Sequence, residues 1–168
     1  MKSYSYFTLI IPVERPLIKT TNIPDPYWLA GFVSGDFCLK LKSKGGCFDI
    51  NLKKSNTHKT GHQVILRISI KQHERDKNLM ELITKYLNSG KIYKLDERPM
   101  VSLTIVKYSD ITNLIIPFFK KYPVLGIKQN DFSDWCKTAK LMNDGLHLTM
   151  EGLKLIRTIK DGMNKGRK

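Results

Sequence analysis

The chain has 168 residues, room for one domain with its own core, and a hydrophobic share of 41% argues against wholesale disorder. Lys and Arg number 29 against 15 Asp and Glu, a formal charge of +14, and a surplus of that size favours a polyanionic partner, nucleic acid ahead of a membrane surface. The cysteines Cys38, Cys47 and Cys136 lack metal-ligand spacing, so no zinc or disulfide framework is implied, and no apolar run reaches the roughly 18 to 20 residues of a membrane span.

Residues 1–24 carry Pro12, Pro16 and Pro24 and read as an extended lead-in or linker. Asp25-Pro26 then predicts a helix start, with the acid as cap and the proline in the first turn, and the helix runs through Tyr27 to about Gly35. In "FCLKLKS" Phe37, Leu39 and Leu41 alternate with Cys38, Lys40 and Lys42, and Gly45-Gly46 signals a turn. "CFDINLKK" alternates again. A polar stretch holding His58 and His62 reads as a loop with solvated histidines, a better reading than a metal pair. "QVILRISIKQ" places Val64, Leu66, Ile68 and Ile70 on one face of a strand and Ile65, Arg67, Ser69 and Lys71 on the other.

"ERDKNLMELITKYLN" predicts an amphipathic helix stopped by Gly90. "GKIYKL" and "MVSLTIVKY" form a second hairpin around Asp96 to Pro99. "SDITNLIIPFFKKYP" is a helix capped by Ser109 and broken at Pro117. Another helix starts near Asn130 or Asp131, and a last one is capped by Thr149 in a near capping-box pattern before a frayed basic tail, "NKGRK". The order predicts an α+β fold, an antiparallel sheet with helices on one face, as a single domain over 25–168. Within the first helix, Ala30 and Ser34 are four apart, as are Gly31 and Gly35. That leaves a strip almost free of side chains, fit for another helix or for close packing on the chain's own sheet.

"WLAGFVSGD", Trp28 to Asp36, resembles the signature helix of the LAGLIDADG homing endonucleases. "GCFDINLKKS", "GHQVILRISIKQHERDKNLMELITKYLNSGKIY", "IIPFFKKYPVLGIKQNDFSDWCKTAKLM" and "HLTMEGLKLIRTIKDGMNKGRK" are similar to the carboxy-terminal half of the two-motif enzymes of fungal mitochondrial introns, and "IIPVERPLI" to the linker between their halves. The resemblance implies that two such helices pair through Ala30, Gly31, Ser34 and Gly35. It implies that Asp36, as catalytic residue and metal ligand, shares Mg²⁺ with a second acid to cleave double-stranded DNA. It further implies accessory catalytic roles for Gln72 and Lys128, and nucleic-acid contacts from the sheet's polar residues Asp49, Asn51, Lys53, Lys54, Arg67, Ser69, Lys71, Ser102 and Thr104. Any one-sided sheet also shows a polar face to water. No second LAG-x-x-x-G-[DE] occurs in residues 37–168, so the partner acid is expected from a homodimer or a separate subunit. The implied location is mitochondrial.

One departure stands out. The family's pattern sets a glycine directly after the acid; here Phe37 follows, and Gly46-Cys47-Phe48 comes later, as if Phe37 to Gly45 were inserted. The alternative expectation is therefore a catalytically inactive, RNA-binding descendant, maturase-like or part of a ribonucleoprotein such as a mitochondrial ribosome.

Overall fold

The computed structural model describes residues 22–35, 47–95 and 99–164. The strand and turn expected over 37–46, most of the lead-in, the tip of the second hairpin and the end of the basic tail lie outside the described residues. Helix α1 spans Pro26–Gly35. The Asp25 carboxylate accepts the Tyr27 amide at 2.6 Å, satisfying a donor that the first turn leaves open, beside a proline that has none to satisfy.

Strands β1 (Phe48–Lys54), β2 (His62–His73), β3 (Lys91–Leu95) and β4 (Met100–Ile105) form one antiparallel sheet in the order β1-β2-β4-β3. Alternation along each strand puts Phe48, Ile50, Leu66, Ile68, Ile70 and Leu103 on one buried face. Helix α2 (Lys77–Leu87) joins β2 to β3 and buries Met80, Ile83 and Leu87. Its stop is not the expected Gly90. The chain turns at Asn88, which takes the left-handed conformation at φ 49°. Gly90 serves the sheet instead. At φ 105° it leads into β3 so close to β4 that a Cβ would come within 2.6 Å of the Leu103 side chain.

Helix α3 (Tyr108–Asp110), a π turn (Ile111–Ile115) and α4 (Ile116–Lys121) run on without a break. The expected break at Pro117 is absent because the wider turn just ahead of it absorbs the missing amide and the ring's bulk. Nor is Ser109 the cap; the helix begins after the extended Lys107, and the Ser109 hydroxyl donates to Asp110 at 3.3 Å. Helix α5 (Ile127–Asn143) starts before Asn130, so Asp131 falls inside it, buried, with its carboxylate accepting the Asn164 amide at 3.0 Å. Helix α6 (Met150–Asp161) is capped as expected: the Thr149 hydroxyl accepts the Gly152 amide at 3.0 Å.

The core centres on Phe48. Its ring centroid lies 5.9 Å from Phe119, 5.2 Å from Phe132 and 5.3 Å from Trp135, which joins β1 to α4 and α5.

Candidate nucleic-acid interface

The second face of the sheet follows from the register. Asp49 lies opposite Arg67, Asn51 opposite Ile65 and Lys53 opposite Gln63. Ser69 lies opposite Thr104, and Lys71 opposite Ser102. Since paired residues share a face, Asp49, Asn51, Lys53, Arg67, Ser69, Lys71, Ser102 and Thr104 stand together. Lys54 does not join them: it pairs with His62 on the helix-covered side, because adjacent residues of a strand point oppositely. Sequence reasoning missed Lys91 and the half-exposed Tyr93, which the register adds opposite Thr104 and Ser102. The alternation in "GKIYKL" could have found them.

This face has a charged end and a polar floor. Arg67 Nη2 donates to Asp49 Oδ2 at 2.5 Å, with side-chain exposures of 41% and 13%. The strand beneath is held from the helix side: Trp135 Nε1 donates to the Asp49 carbonyl at 3.1 Å, and the Asn164 side-chain amide donates to the Phe48 carbonyl at 3.1 Å. Further along, the Ser69 and Ser102 hydroxyls are 2.8 Å apart, and Thr104 lies 3.2 Å from Ser102. Ser69 and Ser102 were expected as reaching contacts. Instead they are buried, at 8% and 4% exposure, and satisfy one another, a floor between longer side chains.

Helix α1 corrects a second expectation. Ala30, placed on the pairing strip from its spacing, is 2% exposed and faces the core with Leu29 and Val33. Gly31 and Gly35 are exposed, and a Cβ on either would meet nothing within 4 Å. Beside them stand Tyr27 and the stacked rings of Trp28 and Phe32, centroids 5.1 Å apart. Ser34 is half-buried between the two sides. Its hydroxyl donates to the Ala30 carbonyl at 2.7 Å and accepts the Leu125 amide at 2.9 Å, tying the segment before α5 to α1.

Lys128 Nζ donates to the Val33 carbonyl at 2.7 Å, so the structure brings this cation to the last turn of α1, where helical carbonyls lack intrahelical partners. Gln72 lies apart from the polar face, half-buried on the helix-covered side of β2 opposite Val101. Asp36 is the next residue after α1 and lies outside the described residues. Among the described residues, no three His, Cys, Asp or Glu side chains gather as a metal site.

Both histidines of the polar stretch are partly exposed; His58 lies in the expected loop and His62 opens β2. His58 Nδ1 is 2.8 Å from Ser55 Oγ, and His58 lines a cleft of about 430 Å³ with Tyr108, Met142 and His147. Burial, and then His58 nearby, push His147 below its ordinary pKa, against a backbone bond to Met142 that works the other way.

Residues 29–139 match the sequence model of the LAGLIDADG endonucleases. A "Probable intron-encoded endonuclease 3" of Neurospora crassa is 46% identical over 153 residues, covering 90% of this chain and 27% of that protein. A "Probable intron-encoded endonuclease 2" from the same fungus is 31% identical, covering 94% and 33%. The solved I-SmaMI LAGLIDADG homing endonuclease bound to cleaved DNA superposes with a TM-score of 0.86 at 48% identity, covering 94% of this chain and 50% of that one. The meganuclease I-AabMI bound to uncleaved DNA superposes at 0.76 with 41% identity, covering 86% and 48%. The chain thus spans about half the length of the solved relatives and a quarter to a third of the curated ones.

Proposed function

This chain belongs to the LAGLIDADG endonuclease family, and we propose that it supplies half of a DNA-binding unit, with a second motif-bearing half seated on the exposed strip of α1. The observation that carries the reading is the register that gathers Asp49, Asn51, Lys53, Arg67, Lys71 and Lys91 on one face of a strongly basic chain. A ribbon of antiparallel strands fits a major groove, and the polar face of this four-stranded sheet would lie along one; its lysines track phosphates and its forked or amide side chains meet base edges. The bare Gly31 and Gly35 support close approach of a partner helix, and the flanking Tyr27, Trp28 and Phe32 supply apolar area for it. A second copy or a separate subunit would satisfy that strip.

Cleavage is the next step of the proposal. Asp36 offers hard oxygen donors of the kind magnesium takes, and a partner acid would complete the pair, since one carboxylate does not make a site. The metal, when bound, supplies a polarised water and charge stabilisation at a phosphate. I-SmaMI has been solved on an uncleaved target in the presence of calcium ions, which supports a divalent-metal requirement here. Lys128, held at the end of α1 by the Val33 carbonyl, would place positive charge where a phosphate develops it. Gln72, on the covered side of β2, would act at most by positioning. The names of two relatives, an "Uncharacterized 50.9 kDa protein in ND4 intron 1" of Podospora anserina and an "Uncharacterized mitochondrial protein RF1" of Saccharomyces cerevisiae, support an intron-encoded, mitochondrial origin.

The test is a selection from randomised duplex DNA, followed by cleavage assays on the enriched sites with Mg²⁺ or Mn²⁺ and light scattering of the free and bound chain. Enrichment of a long site, a paired mass on DNA and metal-dependent double-strand cuts are expected. Loss of binding to duplex at all salt concentrations sinks the reading; binding without cuts retires its catalytic part and points to Phe37 to Gly45, the stretch that separates Asp36 from Gly46.

A further inference from the structure

We infer that Asp49 is a positioning residue that aims Arg67 at a guanine and keeps it off the phosphate backbone. The inference rests on the reading that this sheet face meets a duplex. An exposed arginine on a basic surface would by default grip phosphate, a contact without sequence information. Here one Nη2 hydrogen is taken by Asp49 Oδ2 at 2.5 Å, and no other bond to the guanidinium occurs among the described residues. The end of the fork, Nη1 and the second Nη2 hydrogen, is left as a two-donor edge. That edge matches the paired O6 and N7 acceptors of guanine in the major groove.

The seat of the carboxylate is fixed. Asp49 pairs with Arg67 across β1 and β2, its side chain is 13% exposed, and its carbonyl accepts the indole N–H of Trp135, a fully buried ring. Holding one end of a long side chain removes much of the rotamer freedom it would lose on binding. On the same strand face the neighbours of Arg67 are Ile65, which cannot compete for hydrogen bonds, and Ser69, whose hydroxyl is engaged with Ser102 at 2.8 Å. Lys53 at the edge of the sheet is exposed and lies opposite Gln63, a point charge suited to a phosphate.

A carboxylate on a face that meets phosphates lowers general attraction. Removing it should therefore move affinity and discrimination in opposite directions, an effect that a purely structural role cannot mimic. The full chain is incubated with randomised duplexes in EDTA, bound sequences are counted, and affinity for a fixed random duplex is titrated. The wild type should prefer guanine at one position by about ten- to a hundredfold. Arg67→Ala and Arg67→Lys should abolish that preference alone. Asp49→Ala should cut it to a few-fold while raising affinity for the random duplex, and Asp49→Asn should restore part of it, with circular dichroism confirming the fold of each.

Asp49→Ala weakening every position alike, or leaving the guanine preference whole, overturns the inference. Enrichment in which no position depends on Arg67 overturns it and spares the reading of the face. A wild type that binds duplex but enriches no sequence overturns the inference alone, and one that binds no duplex at any salt concentration overturns both.

Discussion

The two faces of the sheet are made by alternate residues of the same strands, and they are satisfied in different ways. On the covered face Phe48, Ile68 and Ile70 are almost wholly buried, and what they need is volume and freedom from water. On the other face the needs are specific: Asp49 needs a cation, Ser69 and Ser102 need each other. Shape governs one face and identity the other. A slip of one residue in register would exchange them, which ties the polar face to the packing behind it.

Trp135 belongs to both faces, its ring buried against Phe48 and its N–H on the Asp49 carbonyl. Trp135→Ala should give the largest loss, about 3–5 kcal/mol of unfolding free energy in denaturant titrations. Trp135→Phe keeps most of the ring but removes the indole N–H bond to the Asp49 carbonyl, whose ladder pairing with Arg67 remains, a loss of about 0.5–1.5 kcal/mol. Equal losses from the two substitutions would show that the hydrogen bond, not the volume, sets the stability here.

A smaller effect is expected on the polar floor. Ser102→Ala removes the 2.8 Å and 3.2 Å contacts to Ser69 and Thr104 and should cost about 1 kcal/mol. Replacing Ser69 and Ser102 together by alanine should cost less than the two single losses summed, because neither hydroxyl is then left alone. Strict additivity in the double-mutant cycle would mean that the hydroxyls do not hold one another.

Much of this contrast was legible in the chain. Alternation in "QVILRISIKQ" and "CFDINLKK" assigns each residue to a face without knowledge of the partner strand. Pairing is another matter. That Asp49 meets Arg67 depends on the register between β1 and β2, which short-range periodicity does not encode. The same limit applies to α1. Spacing shows that Ala30 and Ser34, or Gly31 and Gly35, share a strip, but only tertiary packing decides that Ala30 faces inward and the glycines outward. Asn88 displaces Gly90 as the stop of α2 because Gly90 is needed for the contact with Leu103, a residue of another strand. Pro117 reads as a break because the π turn ahead of it leaves no local signal. His58 and His147 come from separate loops, so their shared cleft has no sequence spacing to betray it.

Helix α1 repeats the contrast of the sheet in miniature, and Gly31 is where it can be separated. A Cβ there meets nothing in the single chain, and glycine inside a helix is costly in backbone entropy. Gly31→Ala should therefore stabilise the isolated chain by about 0.5–1 kcal/mol in thermal or denaturant unfolding. The same methyl group stands on the proposed pairing strip and should raise the concentration needed for pairing on DNA, measured by light scattering. Opposite signs in the two measurements would mark the strip as a partner surface; stabilisation with unchanged pairing would place the partner elsewhere.

The smallest expected effect comes from the cleft that His58 and His147 line. Among the described residues His147 Nδ1 is buried with no partner at hydrogen-bond distance, and burial and the nearby His58 outweigh the Met142 backbone and lower its pKa from the ordinary 6.5. The folded state then binds the proton less readily than the unfolded chain. The contribution to stability is present above about pH 6.5 and is lost as pH falls through the lower folded value. His147→Gln, which stays neutral, should flatten this slope, and His58→Gln should flatten it in part by removing a neighbouring charge. Denaturation midpoints at about pH 7.5 and about pH 5.5, on either side of the ordinary histidine range, measure it. Parallel shifts in the wild type and in His147→Gln would assign the acid sensitivity to other groups and leave the cleft as packing alone.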